Sequence, residues 1–213
     1  MAKRGFWAAV MAAAATAAAG GSRPSVTVAA SEVAAPCVRA AARGWTGAAA
    51  LCLGRRCGAQ TDVLVLSAVE MNRALESGQA VDGSDLDVAR VPWVLALRGA
   101  SPEIRGLSDL AGGEHDVRVL GGPAAYEARR ALEGVHGARV RETTDERELT
   151  SAAVALVPLS LARGARQVAV AVPPVVVRAA VTAGSRRPEA AAAFVRFLGS
   201  EAGQRAFAAC GVS

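Results

Sequence analysis

The stretch SRRPEAAAAFVRFLGSEAGQRAF, Ser185–Phe207, predicts two helices separated by a one-residue break. Pro188 suits the first turn of the first helix, where a backbone N–H is not needed. An apolar stripe at helical spacing follows it, formed by Ala190, Phe194, Phe197 and Leu198. Gly199 ends this helix and Ser200 caps the next one. The chain therefore finishes on two helices that need an apolar surface upstream to pack against.

Upstream of these helices, short β-type runs alternate with helical patterns. The run Ser25–Ser31 predicts a strand, with Ser31 as the N-cap of the next helix. The run TDVLVLS, which ends at Ser67, predicts a buried strand, and the helix after it stops at Gly78. We read VDGSDLDVAR as a polar loop and VPWVLALRG as the following strand. The alternation predicts an α/β protein with mostly parallel strand pairing.

The composition indicates a folded domain with a modest positive charge. Of the 213 residues, 52% are hydrophobic and 20% are charged, which is typical of globular proteins. The net charge of +5 favours anionic ligands. The arginines are scattered and form no dense basic block, so we predict no nucleic-acid partner.

The first 21 residues, MAKRGFWAAVMAAAATAAAGG, have the organisation of a secretory signal peptide. Lys3 and Arg4 precede an uncharged run over residues 5–21, with small residues before a cleavage point. The alternative is a membrane anchor, but the Ala-rich run is shorter than the roughly 20 apolar residues of a spanning helix. We therefore predict a signal peptide over residues 1–21 and a periplasmic or extracellular location.

Four cysteines lie at positions 37, 52, 57 and 210. The predicted export would place them in an oxidising compartment, where disulfides persist, so they are candidates for disulfide bonds. Four cysteines permit three pairings. Cys52 and Cys57 flank the short loop LGRR, and we predict that they are paired. Cys37 and Cys210 would then join the first helix to the last residues. The alternative is four buried free thiols.

The sequence offers little for catalysis. The two histidines, His115 and His136, have no cysteine or acidic neighbours at metal-ligand spacing. The motifs GxSxG, HExxH and the Walker phosphate loop do not occur. We therefore predict no catalytic residues, metal or cofactor.

The C-terminal segment SRRPEAAAAFVRFLGSEAGQRAFAACGV resembles the C-terminal signature of bacterial extracellular solute-binding proteins, above all the molybdate-binding family of transport systems. Three upstream segments resemble the same family in the same order: VTVAASEV, TDVLVLSAVEMNRALESGQAV and VPWVLALRGASPEIRGLSDLA. The resemblance covers most of residues 25–213.

This resemblance implies the two-lobe fold of type II periplasmic binding proteins, with a ligand cleft between the lobes. Residues 22–92 and 178–213 would form one lobe, and residues 93–177 the other. The terminal helices would thus return to complete the first lobe. The strands VPWVLALRG and VVVRAAVTAG would lie side by side as the hinge.

The resemblance also implies a set of ligand contacts at strand ends and helix N-termini from both lobes. These predicted contacts are Ser31, Arg55, Arg56, Gly58, Ser67, Gly122, Tyr126 and Ser160. Three turns depart from the family pattern, and one of them is the shortened segment GGPAAYEARRAL. The second GSSG turn becomes GRRCGAQ, where an arginine would replace the lost serine, and Pro158 stands where a tyrosine is usual.

Each predicted contact also has a simpler interpretation. Ser31 and Ser67 suit helix N-caps, Arg55 and Arg56 a solvated basic loop, and Tyr126 half-buried packing.

The function implied is capture of a small oxyanion, with molybdate as the family default, for an ABC importer with a membrane permease as partner. The binding protein would act as a monomer. Two alternatives remain. One is a ligand-blind relative that serves as an interaction module. The other is an exported enzyme on the same fold, such as a dehydratase.

Overall fold

The computed structural model describes residues 25–53, 60–99, 103–112 and 115–210. The described chain contains two five-stranded sheets. The first sheet has the strand order β2-β1-β3-β10-β4. Its strands are β1 (Ser25–Ala30), β2 (Ala48–Leu53), β3 (Val63–Ser67), β4 (Leu86–Val91) and β10 (Val175–Val181). We call this sheet with its covering helices the first lobe.

The second sheet has the strand order β7-β6-β8-β5-β9. Its strands are β5 (Trp93–Leu97), β6 (Asp116–Leu120), β7 (Arg139–Thr143), β8 (Val154–Pro158) and β9 (Arg166–Ala169). With its helices, this sheet forms the second lobe. The chain enters it through Pro92 and leaves it through residues 170–174. Both crossings contain proline, which donates no hydrogen bond to a sheet ladder.

Six α-helices cover the two sheets in the described part of the chain. They are α1 (Ala35–Ala42), α2 (Ala68–Glu76), α3 (Tyr126–Glu133), α4 (Glu146–Ser151), α5 (Pro188–Gly199) and α6 (Glu201–Ala208). Three 3₁₀ turns accompany them, at Leu107–Leu110, Pro123–Ala125 and Leu159–Leu161. Among the helices described, none is long and apolar enough to span a bilayer.

The first sheet is covered on both faces, as the apolar character of β3 requires. Val63 and Val65 face the main core, whereas Leu64 and Leu66 pack on the opposite face beside α2. Side chains alternate between faces along a strand, so a continuous apolar run needs cover on both sides.

The two terminal helices pack where the opening sequence pattern requires. Phe194 and Leu198 of α5 and Phe207 of α6 are buried in the main core. Ser200 caps α6, and its hydroxyl accepts a hydrogen bond from the Gly203 N–H at 3.4 Å. The helices α5 and α6 both contact the first sheet, so the end of the chain completes the lobe in which β1 lies.

Strand pairing in the structure is mixed, so the prediction of mostly parallel pairing is wrong. β1 pairs in parallel with β2 and β3, and β6 pairs in parallel with β7 and β8. β10 runs antiparallel to β3 and β4, and β5 runs antiparallel to β8 and β9. The antiparallel strands are those next to the crossings between the lobes.

The predicted hinge pair is also corrected. VPWVLALRG divides at Pro92 into the end of β4 and the whole of β5, and β5 belongs to the second sheet. β10 lies beside β4, not beside β5. The predicted lobe boundary at residue 178 falls inside β10, which joins the first sheet from Val175 onward.

Three local predictions differ from the structure. Helix α1 begins at Ala35 with Ala34 as its N-cap residue, so Ser31 is not its cap. Part of the segment read as polar loop, VDGSDLDVAR, forms β4 instead. Helix α4 has a short polar sequence, ERELTS, and was not predicted at all.

Candidate functional site

The carboxyl ends of the parallel strands in the two sheets face each other. In the first lobe, β1 leads into Ser31 and β3 ends at Ser67. In the second lobe, β6 leads into Gly121 and Gly122, and β8 leads into the turn Leu159–Leu161. This turn contacts α1, and the turn Pro123–Ala125 contacts α2. The lobes therefore meet at the edge where open α/β sheets commonly bind ligands.

Ser31 is a side chain at this edge whose hydroxyl has no partner among the described residues. Its backbone N–H donates to the Val65 carbonyl at 2.9 Å, and its own carbonyl accepts from Ala34 and Ala35 at 3.0 and 2.9 Å. Its hydroxyl is buried and finds no hydrogen-bond partner among the described residues. Buried hydroxyls are normally paired, so this one is a candidate for a bond to a bound solute.

Ser67 is occupied by a helix cap. Its hydroxyl donates to the Glu70 carboxylate at 2.6 Å, and its backbone N–H donates to the same oxygen at 3.1 Å. The Glu70 N–H in turn points to the Ser67 hydroxyl at 3.4 Å, which completes a capping box. The simpler interpretation of Ser67 as a cap is therefore confirmed, and a ligand would have to compete with Glu70 for its hydroxyl.

Ser160 links the two lobes. Its side chain is buried, and its hydroxyl donates a hydrogen bond of 2.8 Å to the Val33 carbonyl. Val33 lies two residues after Ser31, in the turn before α1. The predicted contacts Ser31 and Ser160 therefore reach the same turn from opposite lobes.

Gly122 and Tyr126 flank the turn that opens α3. Gly122 has φ +98°, a backbone conformation that favours glycine, and a Cβ there would meet open space. Tyr126 is 57% exposed at the first position of α3, so the interpretation as half-buried packing is wrong. The turn they flank contacts α2 of the first lobe, which places both residues near the junction between lobes.

The remaining predicted contacts, Arg55, Arg56 and Gly58, lie outside the described residues, as does Cys57. Residues 1–24, with the predicted signal peptide, lie outside them as well. These assignments stay predictions. Cys37 and Cys210 are free thiols, so the predicted bridge between them is not present in the structure.

Glu32 is the residue at this junction that sequence reasoning missed. Partial desolvation raises the pKa of its carboxyl above the ordinary value, and the carboxylates of Glu146, Glu70 and Asp145 raise it further. Glu70 belongs to the first lobe, whereas Asp145 and Glu146 begin α4 in the second. Carboxylates from both lobes therefore act on Glu32, the residue that follows Ser31. The sequence held no signal for this, because α4 was not predicted.

Other chemistry has little support at this junction. Within the described ranges, no group of three or more His, Cys, Asp or Glu side chains is placed to hold a metal ion. The arrangement is suited to binding, with a hydroxyl and several backbone turns at a polar junction.

The sequence matches a family model along almost its whole length. The model described as "Bacterial extracellular solute-binding protein" matches residues 2–212. No curated protein sequence matches significantly.

Solved structures of similar fold come from several bacteria. The periplasmic molybdate-binding protein of Azotobacter vinelandii superposes with a TM-score of 0.73 at 16% identity, covering 88% of this chain and 98% of that one. The sulfate-binding protein SubI of Mycobacterium tuberculosis H37Rv gives 0.69 at 17% identity, covering 88% and 86%. Iron-bound HitA of Pseudomonas aeruginosa gives 0.58 at 17% identity, covering 87% and 84%. At such identities the likeness shows the two-lobe fold alone, and the ligands in these names differ.

Proposed function

Because this chain belongs to the bacterial extracellular solute-binding protein family, we propose that it is the exported binding component of an ABC importer and captures a small oxyanion between its lobes. Family membership supports a substrate-binding role and a location outside the cytoplasm. The signal-like residues 1–21 support the same location. The partner would be a membrane permease, and the binding protein would act as a monomer.

The unpartnered hydroxyl of Ser31 is the observation that carries this proposal. Leaving a buried hydroxyl unpaired costs about 1–3 kcal/mol, and a bound acceptor would recover that cost. The hydroxyl lies at the carboxyl edge of β1, beside the turn that Ser160 contacts from the other lobe. A solute bound here would touch both lobes, which is what couples binding to lobe closure. We propose Gly122, Tyr126 and the turn Arg55–Gly58 as its further contacts.

The carboxylates around Glu32 shape which ions are accepted. Their negative potential opposes a dianion. A protonated Glu32 would remove one of these negative charges. Because the pKa of Glu32 is already raised, the proton is easier to acquire than on an ordinary glutamate. We therefore propose that oxyanion capture is accompanied by proton uptake on Glu32.

The predicted disulfide between Cys52 and Cys57 would restrict the turn Arg55–Gly58. Cys52 lies in β2, which neighbours β1, and its predicted partner Cys57 follows Arg55 and Arg56 in the chain. A bridge between these two cysteines would restrict the loop and limit the entropy lost when the loop contacts a solute.

The competing function is a ligand-blind interaction module. It is favoured by the engagement of Ser67 and Ser160 with protein groups and by the negative potential at the junction. Under that function, the unpartnered Ser31 hydroxyl would be a remnant of a lost site.

A thermal-shift screen of the mature protein separates the two functions. The panel is molybdate, tungstate, sulfate and phosphate, with chloride at matched ionic strength as control. A ligand that binds the folded state alone adds about 2.7 kcal/mol at a hundredfold excess over its dissociation constant. We expect at least one oxyanion to raise the Tm by several degrees. Equal Tm values for all anions and chloride would support the interaction module.

A further inference from the structure

Cys37 and Cys210 are neighbouring thiols in the first lobe. Cys37 lies in α1 and is fully buried, whereas Cys210 lies just past the end of α6 and is partly exposed. Helices α1 and α6 pack against each other. The two side chains are hydrogen-bond partners, and the Cys210 sulfur lies 4.0 Å from the Pro36 carbonyl oxygen. The two thiols are therefore neighbours in the first lobe, and both are free in this structure.

The two thiols differ in their access to an oxidant. Cys210 borders an open groove of about 350 Å³ together with Ser160, Arg163 and Gln167. Burial, and the hydrogen bond with Cys210, raise the pKa of the Cys37 thiol well above its ordinary value. The thiolate is the reacting form of cysteine, so Cys37 is a poor first nucleophile. Cys210 is the accessible thiol of the pair.

We propose that Cys37 and Cys210 form a disulfide when the protein reaches an oxidising compartment, which ties the end of α6 to α1. The inference depends on the proposed export, because disulfides persist outside the cytoplasm. It does not depend on any ligand.

The chemistry is thiol–disulfide exchange with a disulfide donor, either a protein of the dithiol oxidase class or oxidised glutathione. The Cys210 thiolate attacks one donor sulfur, the donor S–S bond breaks, and the other donor sulfur leaves as a thiolate. Cys37 then gives up its proton to the released donor thiolate, and its sulfur attacks the Cys210 sulfur, which releases the remaining donor thiolate. Two protein thiols are oxidised and one donor disulfide is reduced to two thiols.

The bridge would close a loop that contains most of the chain. Long loops gain more from cross-linking than short ones, because the unfolded chain loses more freedom. The bridge would also hold α1, whose preceding turn carries Ser31 and contacts the second lobe. Oxidation would therefore stabilise the part of the first lobe that supports the candidate site.

The test uses the full exported chain, reduced and then incubated with oxidised glutathione, followed by peptide mapping without reduction. We expect a cross-linked peptide pair containing Cys37 and Cys210. In a Cys52→Ala/Cys57→Ala background, oxidation should raise the Tm by about 5–10 °C. Adding Cys210→Ala to this background should abolish the rise and leave Cys37 free to alkylation after denaturation.

Two outcomes of the mapping would overturn the proposal: both thiols remaining free, or Cys210 retaining glutathione while Cys37 stays unpaired. Mapping uses no ligand, so it is independent of the oxyanion screen. A protein that binds oxyanions without the bridge would refute the bridge alone. A bridged protein that binds none would refute the binding function alone.

Discussion

The Ser160 hydroxyl, in the second lobe, donates a hydrogen bond of 2.8 Å to the Val33 carbonyl in the first lobe. The two residues are 127 positions apart in sequence, yet both lie beside the turn that carries Ser31. This bond joins the lobes at the candidate site, so lobe opening there has to break it. Two variants separate the lobe contact from the proposed ligand contact.

Replacing Ser160 with alanine should weaken the contact between the lobes. The Val33 carbonyl would lose this buried donor, which costs about 1–2 kcal/mol. We expect the Tm of the ligand-free protein to fall by about 2–6 °C, measured by calorimetry. Ser108→Ala, at an exposed serine of the same lobe, is the matched control and should leave the Tm unchanged. Equal Tm values for both variants would show that the Ser160 bond contributes nothing.

Replacing Ser31 with alanine, in contrast to Ser160→Ala, should not destabilise the ligand-free protein. The variant removes a buried hydroxyl that has no partner among the described residues, so the free energy of unfolding should not fall and should rise by up to about 1–3 kcal/mol. A clear loss of stability, measured by urea unfolding of the ligand-free protein, would mean that the hydroxyl is already paired within the protein. In that case its proposed role as a ligand donor would fail.

Glu32→Gln should alter the pH dependence of both stability and binding. The pKa of Glu32 is raised above the ordinary value of 4.5, so the folded protein binds more protons than the unfolded chain between the two pKa values. Stability should therefore decline as the pH rises through that window, and Glu32→Gln should flatten the decline. Oxyanion affinity should rise as the pH falls towards the same window, and the variant should bind more tightly at neutral pH.

Glu76→Gln is the control for the Glu32 variant. Glu76 is an exposed glutamate at the far end of α2 from Glu70. Glu76→Gln should leave the pH dependence of stability and of oxyanion binding unchanged. The measurement is sulfate titration calorimetry at several pH values, in buffers that differ in ionisation enthalpy, so that proton uptake is read directly. An unchanged pH profile in Glu32→Gln would contradict the proposed proton uptake.

The turn between the last two helices depends on Gly203. A Cβ at this position would lie 2.5 Å from the Leu198 carbonyl oxygen and would also overlap the Phe197 carbonyl oxygen. Backbone atoms at a helix end cannot move aside easily, so Gly203→Ala should cost more than about 2 kcal/mol. Gly184→Ala, where a Cβ meets open space, should change stability by less than about 1 kcal/mol. Similar urea midpoints for the two variants would contradict the packing described for α5 and α6.

The same turn shows what the sequence reveals well. Pro188 and Ser200 are local signals, and each does in the structure what its chemistry predicts. Gly199 is the last residue of α5, as predicted, but it lacks the left-handed conformation of a helix-stop glycine, and a Cβ there would clash with Leu86. Buried strands such as β3 and β5 were also predictable, because continuous apolar runs have few other uses. The two-lobe fold followed from the order of such segments and their resemblance to a known family.

The errors fall where local pattern carries little information. β4 is an edge strand whose Leu86 and Asp87 are exposed, so its sequence looks like a loop. The pairing of β10 with β4 depends on how the chain crosses between the lobes, which local sequence does not encode. Ser31 follows a strand and precedes a helix, a pattern shared by caps and ligand contacts, and the burial of its hydroxyl is visible in the structure alone.

The most direct test of the proposed binding function is isothermal titration calorimetry of the mature protein and its Ser31→Ala variant with molybdate, tungstate, sulfate and phosphate. We expect the unsubstituted protein to bind at least one of them, and Ser31→Ala to bind it about ten- to a hundredfold more weakly, as expected for loss of one donor to a charged acceptor. No binding heat from any of the four at millimolar concentration, or equal affinity in the two proteins, would contradict oxyanion capture at Ser31.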